Sequence, residues 1–520
     1  MERKPFFYDI TLRDGNQALK KPWNLEEKEI IFNKILDLNM QAVEVGFPAA
    51  SDMDFLAVQK LSQLSSDKNI VISALARTIE QDILKAKCAI SEAKYPRIHT
   101  FITLSPFHMK YVLNKSPEEV KNIAIDAVKS AKKLLGNKGE VQFSVEHFGD
   151  CIDNIDFVIS TLKQIVNSGA TIINLPNTVE RKRPKVFVDM VEKVYNSLPK
   201  DIIISVHNHN DLGMATATTV ESYFSGAIQL ECCLNGIGER AGNTNTFEVA
   251  VALYNSGVDV PLNFGLFYET ALLISEMANI PIFEKSPLIG KDSLAHRSGI
   301  HQDGAIKTKD MEIGAYRPIN PKLIGRKDDE IIGFTSQSGK TAIFEIISNA
   351  SYPITIQEAI RLTPIIKQKA QISGELSADE IIKIYFDEIF DVKGPFNILN
   401  FEKISDNSFA LSFTFNDQEY NIDTIGNGPI DACINGLNDL HFEVKLINYS
   451  QSALNCPISG SSSQAMTVMY FQSPLDNQQI ISRAINENTL KANVKAIFNG
   501  LNILYTLHNN KNNTSFNNLK

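Results

Sequence analysis

The chain has 520 residues, 43% of them apolar and 21% charged, with a formal net charge of -9. It is too long for one ordinary domain and apolar enough for real cores, so roughly two to four domains are expected. The absence of a basic block excludes nucleic acid as a partner, no apolar run approaches the ~18 residues of a membrane span, and six scattered cysteines without a CxxC pair exclude a disulfide framework or a zinc ribbon. Residues 1–8 lead straight into a strand-like segment, so no signal peptide is expected and the predicted compartment is reducing, the cytoplasm.

Eight short apolar runs recur through the first half, at 6–10, 42–47, 70–75, 98–104, 141–145, 171–175, 202–206 and 228–234. Helix-like segments lie between them. Residues 24–36 open on Asn24 with early acids and apolar positions at helical spacing. Residues 116–124 open on Ser116 with Pro117 in the first turn. Eight strand–helix units predict an α/β fold, a (β/α)8 barrel, over residues 1–275. A doubly wound sheet would want a glycine-rich phosphate turn after its first strand. Residues 11–17, TLRDGNQ, carry one glycine and two charges instead. Residues 276–388 turn helical and read as linker subdomains, with a capping signature at Ser377. From 389 to 508 the pattern is α+β: 408–415 and 465–471 read as strands, and 426–437 and 484–502 look like two copies of one unit. The Asn-rich end, 509–520, is predicted to be a disordered tail.

In such a barrel the site lies at the carboxyl ends of the strands. His207 and His209 are two apart at the end of the seventh run, so on a strand both face the same way. Two imidazoles on one face make half a metal site. The same rim collects Arg13 and Asp14, Glu44, His99, Glu146 and His147, Thr178, and the loop 235–243, NGIGERAGN. His207 and His209 with Asp14 and the amide oxygen of Asn243 form a mixed N/O set that suits Zn, Mn or Mg and leaves room for substrate oxygens. A 2-oxo acid can chelate such an ion, which then polarises its keto carbon. Arg13 is placed to stabilise an alkoxide developing there, and Glu239 and His301 are candidates for acid–base work.

The motifs DITLRDGNQ at 9–17, EVGFP at 44–48, HNHNDLG at 207–213 and GIGERAGN at 236–243 resemble those of the 2-isopropylmalate synthase group, within a wider set of Claisen-type acyltransferases and lyases on (β/α)8 barrels. Downstream, AHRSGIHQDG at 295–304, YRPINP at 316–321 and SQSGK at 336–340 resemble the synthase branch. The resemblance implies condensation of acetyl-CoA with 3-methyl-2-oxobutanoate to 2-isopropylmalate, the committed step of leucine synthesis. It implies metal ligation by Asp14, His207, His209 and Asn243. Arg13, Glu146 and Thr178 match positions that hold the 2-oxo acid, and Glu44, His99 and Ser144 join them as substrate-binding candidates. Glu239, His301 and Tyr316 match positions implicated in acetyl-CoA activation, and the last two complete a neighbouring subunit's site in a homodimer. The carboxyl-terminal domain resembles the family's leucine-binding regulatory domain. The sequence departs from the family at EHFGDC (146–151), where Glu-Asp-Ala is common, at PNTVE (176–180), where Pro-Asp-Thr-Val-Gly is common, and at Ala484 and Asn493, where Gly and Ser are common. The rival readings are a citramalate synthase using pyruvate, a homocitrate synthase using 2-oxoglutarate, and a non-catalytic amino-acid sensor.

Overall fold

The computed structural model describes residues 4–327, 331–454, 463–473 and 477–511. Two compact units divide the chain: Met1–Leu294 with Glu312–Asp329, and Ala295–Met311 with Glu330–Lys520.

The first unit holds eight parallel strands, each on one of the eight predicted runs: β1 (Phe6–Asp9), β2 (Ala42–Glu44), β3 (Val71–Arg77), β4 (Tyr95–Thr103), β5 (Glu140–Glu146), β6 (Ile172–Asn177), β7 (Ile203–Asn208) and β8 (Gln229–Cys232). They close into a barrel in chain order, and β1 returns to pair with β8 through Phe6↔Gln229 and Asp9↔Cys232. Helices wrap the outside and start where the sequence caps them. Asn24 and Glu27 exchange side-chain-to-backbone hydrogen bonds at the head of helix Leu25–Asp37, and Ser116 and Glu119 do the same at Pro117–Leu135. Each such cap is worth about 1 kcal/mol. Apolar faces of these helices and outward strand residues such as Val43, Ile72, Ile98, Val141 and Ile173 form one buried core.

The barrel's inside is polar. Arg97 on β4, 1% exposed, donates to Gln142 and Gln229 at 3.2 and 2.8 Å and pairs with Glu140. Gln142 Nε2 donates to Glu231 Oε1 at 2.7 Å, and Gln229 Nε2 donates to Ser205 Oγ at 2.9 Å. Buried polar groups survive when they satisfy one another, which this network does at every side-chain atom but Glu231 Oε2.

The second unit is helical and then antiparallel. Helices Gly299–Lys307, Lys340–Asn349, Ile356–Ser373 and Ala378–Ile389 come first, the last with the capping box of Ser377 and Glu380. Two three-stranded antiparallel sheets follow, Phe396–Lys403 with Ser408–Phe415 and Gln418–Ile425, then Lys445–Ala453 with Ala465–Gln472 and Gln479–Asn486. A helix follows each, Pro429–Asp439 and Thr489–Lys511, so the predicted repeat is three strands and a helix, twice. The last helix reaches Lys511, and the remainder of the Asn-rich end lies outside the described residues. Among the described residues no helix is long and apolar enough to cross a membrane, and Cys88, Cys151, Cys232, Cys233 and Cys433 are all unpaired.

Candidate active site

A cavity of about 260 Å³ opens at the carboxyl ends of the barrel strands. Its polar lining includes Arg13, Asp14, His99, Ser144, Glu146, Thr178, His207 and His209, all expected from sequence, together with Asn174 and Glu231, which were not. Phe47, Leu75, Phe101 and Pro176 supply an apolar wall. A larger cavity of about 690 Å³ lies beside helix Pro106–Tyr111, but its lining of Pro106, Met109, Lys110, Phe157 and neighbours includes no carboxylate or imidazole.

Asp14 sits in a π-helical turn, Thr11–Gly15, that follows β1, and the two histidines come from β7 and the residue after Asn208. Asp14, His207 and His209 each offer one ligand atom within 4.8 Å of the others, and all three are buried. The two Nε2 atoms are 3.1 Å apart. Burial would push the Asp14 carboxyl up, but Arg13, both imidazoles and the Asn243 amide hold it well below the usual carboxylate range. Burial and the neighbouring His207 push His209 down to about 3. The triangle is therefore an ionised carboxylate with an imidazole held neutral, the protonation states that ligate metal. Asn243 bridges to His209 through backbone and donates Nδ2 to Asp14 Oδ1 at 2.7 Å. Its Oδ1 is buried with no hydrogen-bond partner among the described residues. An orphaned amide oxygen beside a carboxylate and two facing imidazole nitrogens is what a bound cation would satisfy, so the four residues fit a divalent metal.

The glycine-rich loop builds this corner. A Cβ on Gly238 would lie 2.2 Å from Asn243 Nδ2, and one on Gly242, at φ +96, would lie 2.3 Å from the Gly236 carbonyl oxygen. These glycines seat Asn243 rather than a phosphate.

A second chain of contacts runs from Arg13 along the cavity. Arg13 donates Nη1 to Asp14 and Nε to Glu44 Oε2 at 2.5 Å. Glu44 Oε1 is 2.6 Å from His99 Nδ1, His99 Nε2 is 2.6 Å from Ser144 Oγ, and Asn174 Nδ2 donates to the same Oγ at 2.7 Å. Burial raises Glu44, but Arg13 and His99 overcome it and bring it to about 2. Glu44 is thus a buried anion that fixes the guanidinium. Glu146 lies alone enough that burial raises its pKa.

Behind the triangle, Glu231 Oε2 lies 3.2 Å from His207 Nδ1 without forming a hydrogen bond, near the place a carboxylate takes behind a metal-binding imidazole. Across the rim Arg240 clasps Asp211 at 2.7 and 2.9 Å and donates to the Thr178 carbonyl oxygen. Glu180, at one of the departures, accepts from the backbone N–H of Leu212 at 2.6 Å and orders the loop after His209. Three expected residues are not gathered here. Glu239 is exposed in the loop beside Arg240, Tyr316 is 40% exposed, and neither lines the cavity. His301 is exposed and belongs to the second unit.

Three family models match the chain: HMGL-like over residues 4–274, Alpha-isopropylmalate synthase post-catalytic domain-like over 292–348, and LeuA allosteric (dimerisation) domain over 375–505. The chain is 54% identical over 379 residues to the 2-isopropylmalate synthase 2 of Leptospira interrogans serogroup Icterohaemorrhagiae serovar Lai, covering 72% of this chain and 88% of the relative. It is 32% identical over 517 residues to the 2-isopropylmalate synthase of Aquifex aeolicus, 96% of each chain. It is 35% identical over 465 residues to that of Pyrococcus abyssi, 87% of this chain and 93% of the relative.

Proposed function

The chain belongs to the 2-isopropylmalate synthase family, and we propose that the cavity at the barrel mouth is where it performs that family's reaction. It is an acyltransferase that condenses acetyl-CoA with 3-methyl-2-oxobutanoate to give 2-isopropylmalate and CoA, the first committed step of leucine biosynthesis. The observation that carries the site assignment is the buried triangle of Asp14, His207 and His209 beside Arg13.

Asp14, His207, His209 and Asn243 would hold a divalent ion, Mn, Mg or Zn, which as a Lewis acid supplies polarisation of the keto group when bound. The remaining work falls to side chains. Glu146 and Thr178 orient the 2-oxo acid, with His99, Ser144 and Glu44 setting the hydrogen-bonding wall around it. Phe47, Leu75, Phe101 and Pro176 offer its branched end an apolar face. A base removes a proton from the acetyl methyl carbon, and that carbon bonds to the keto carbon. Arg13 meets the negative charge that collects on the former keto oxygen. Water then cleaves the thioester and releases CoA. Glu239, His301 and Tyr316 are assigned to acetyl-CoA activation. None of the three lines the cavity, which supports a site completed by a second chain, in keeping with the match to a dimerisation domain. Leucine is the effector we assign to that domain, where Asn493 Oδ1 accepts from Thr467 at 2.8 Å and from Gln451 in the second sheet. A reducing cytoplasm suits the five cysteines that are unpaired among the described residues.

The site assignment is tested by titrating metal-stripped protein with Mn2+. His207→Ala and His209→Ala should each weaken binding and abolish turnover. Full occupancy and full turnover in either variant would remove the triangle from the mechanism.

A further inference from the structure

One departure from the family has found no role in the reaction. His147 follows Glu146 at the end of β5, and Asp150 lies three residues on. His108 stands on the six-residue helix Pro106–Tyr111, which follows β4. His108, His147 and Asp150 each bring one ligand atom within 4.8 Å of the other two. The two imidazoles stack, with centroids 3.5 Å apart and planes 19° apart. His147 Nδ1 is 3.3 Å from Asp150 Oδ2, yet the angle makes no hydrogen bond, and this nitrogen is buried without another partner among the described residues.

We propose that His108, His147 and Asp150 form a second divalent-metal site, selective for the zinc class of ions, at the mouth of the barrel. Two imidazole nitrogens and one carboxylate oxygen, without the amide oxygen that Asn243 adds at the first triangle, favour Zn2+, Co2+ and Ni2+ over Mg2+ and Ca2+. The rings are in the form that ligates: burial lowers His108, and burial together with His108 brings His147 to about 4. The backbone is committed to this placement. His147 holds a left-handed conformation, φ 58, and its N–H donates to Thr178 Oγ1 at 2.9 Å. A non-glycine residue keeps such a conformation only where its surroundings fix it. Ser105 Oγ, 3.2 Å from His108 Nδ1, is a ready outer partner to orient that ring.

Two features must yield. Arg181 donates to Asp150 Oδ2 at 2.7 Å, but its side chain is 52% exposed, and ion pairs of that kind are weak enough for a cation to displace. Stacked rings must tilt apart to share an ion, and a short surface helix lets His108 do so. The site shares no ligand with the first triangle. It touches the cavity wall through Thr178, so the two are neighbours with separate donor sets.

The test is a count of bound metal on the full-length, metal-stripped protein, titrated with Co2+ and followed by calorimetry and visible absorption. Wild type should bind two equivalents per chain. H108A, and H147N, whose asparagine tolerates the left-handed backbone, should each bind the second equivalent at least tenfold more weakly. The H207A/H209A double variant should keep that equivalent and lose the other. Thermal melts matching wild type would establish that the variants are folded. A single equivalent in wild type that disappears in H207A/H209A would overturn the second site and leave the first intact. A second equivalent bound equally well by H108A and H147N would also overturn it.

Discussion

Arg13 shows how much of this site depends on the shape of one side chain. Its guanidinium reaches Asp14 with Nη1 and Glu44 with Nε, so one cation joins the carboxylate of the Asp14–His207–His209 triangle to the buried chain of Glu44, His99 and Ser144. Burial alone would lower its pKa, but the two carboxylates more than reverse this and keep it charged. A lysine carries the charge without the planar fork and cannot serve both partners. Arg13→Lys should therefore lower kcat by about 10²-fold, as loss of a preorganised donor to a developing oxyanion does. Steady-state kinetics at saturating substrates would measure it, and an unchanged kcat would reduce Arg13 to a structural role. The residues of this kind that sequence made legible share local signals. His207 and His209 are two apart on a strand, and Arg13 and Asp14 directly follow one. Glu231 gives no such signal. It meets His207 across 24 positions of chain, and only the parallel pairing of β7 with β8 in register brings them within 3.2 Å. Arg240 and Asp211 were equally hidden, since their clasp joins two loops 29 positions apart.

At the scale of elements, the seam between β1 and β8 carries a buried acid that the reaction does not use. Asp9 accepts from Thr11 N–H and Oγ1, both at 2.9 Å, and Thr11 Oγ1 in turn accepts from the Leu234 N–H. These bonds tie the turn after β1 to the turn after β8. Asp9 is fully buried without a cation, and burial raises its pKa from 3.8 to about 7, against the pull of the Thr11 bonds. The native state therefore keeps a proton between pH ~4 and ~7 that the unfolded chain has released, and stability falls as pH rises through that window. The linkage is worth at most about 4 kcal/mol. Asp9→Asn removes the ionisation and keeps an acceptor for Thr11, so its melting temperature should exceed wild type by a margin that widens from pH 5 to pH 8. A constant margin would mean that Asp9 does not titrate in this window. The barrel strands were legible because helices cover their outer face, so buried apolar residues recur along each even where Arg97, Gln142, Ser205, Gln229 and Glu231 line the inside. The outer strands of the carboxyl-terminal sheets were not. Phe396–Lys403 and Gln418–Ile425 bury few of their side chains, whereas the central Ser408–Phe415 alternates cleanly and was read from sequence.

For the whole molecule, the division of labour between two units bears on assembly. The triangle of Asp14, His207 and His209, with Arg13, belongs to the first unit, and His301 to the second. If a partner chain supplies His301, two broken enzymes can mend each other. His301→Ala and Asp14→Ala should each be inactive alone. After subunit exchange, a mixed dimer holds one site with an intact barrel and an intact partner loop, so about a quarter of wild-type activity should return for random pairing, a symmetric assembly argument. No recovery after verified exchange would show that each chain closes over its own barrel. The proposed reaction is a narrower matter than assembly: a branched 2-oxo acid taken into the barrel-mouth cavity is joined to acetyl-CoA. Pyruvate differs from 3-methyl-2-oxobutanoate by two methyl groups, each worth about 1 to 3 kcal/mol against the wall of Phe47, Leu75, Phe101 and Pro176. The direct measurement is free thiol released from acetyl-CoA with pyruvate, 3-methyl-2-oxobutanoate and 2-oxoglutarate in parallel. The highest kcat/KM is expected with 3-methyl-2-oxobutanoate, roughly 10²-fold or more above pyruvate. A preference for pyruvate or 2-oxoglutarate, or no thiol release with any of the three, would contradict it.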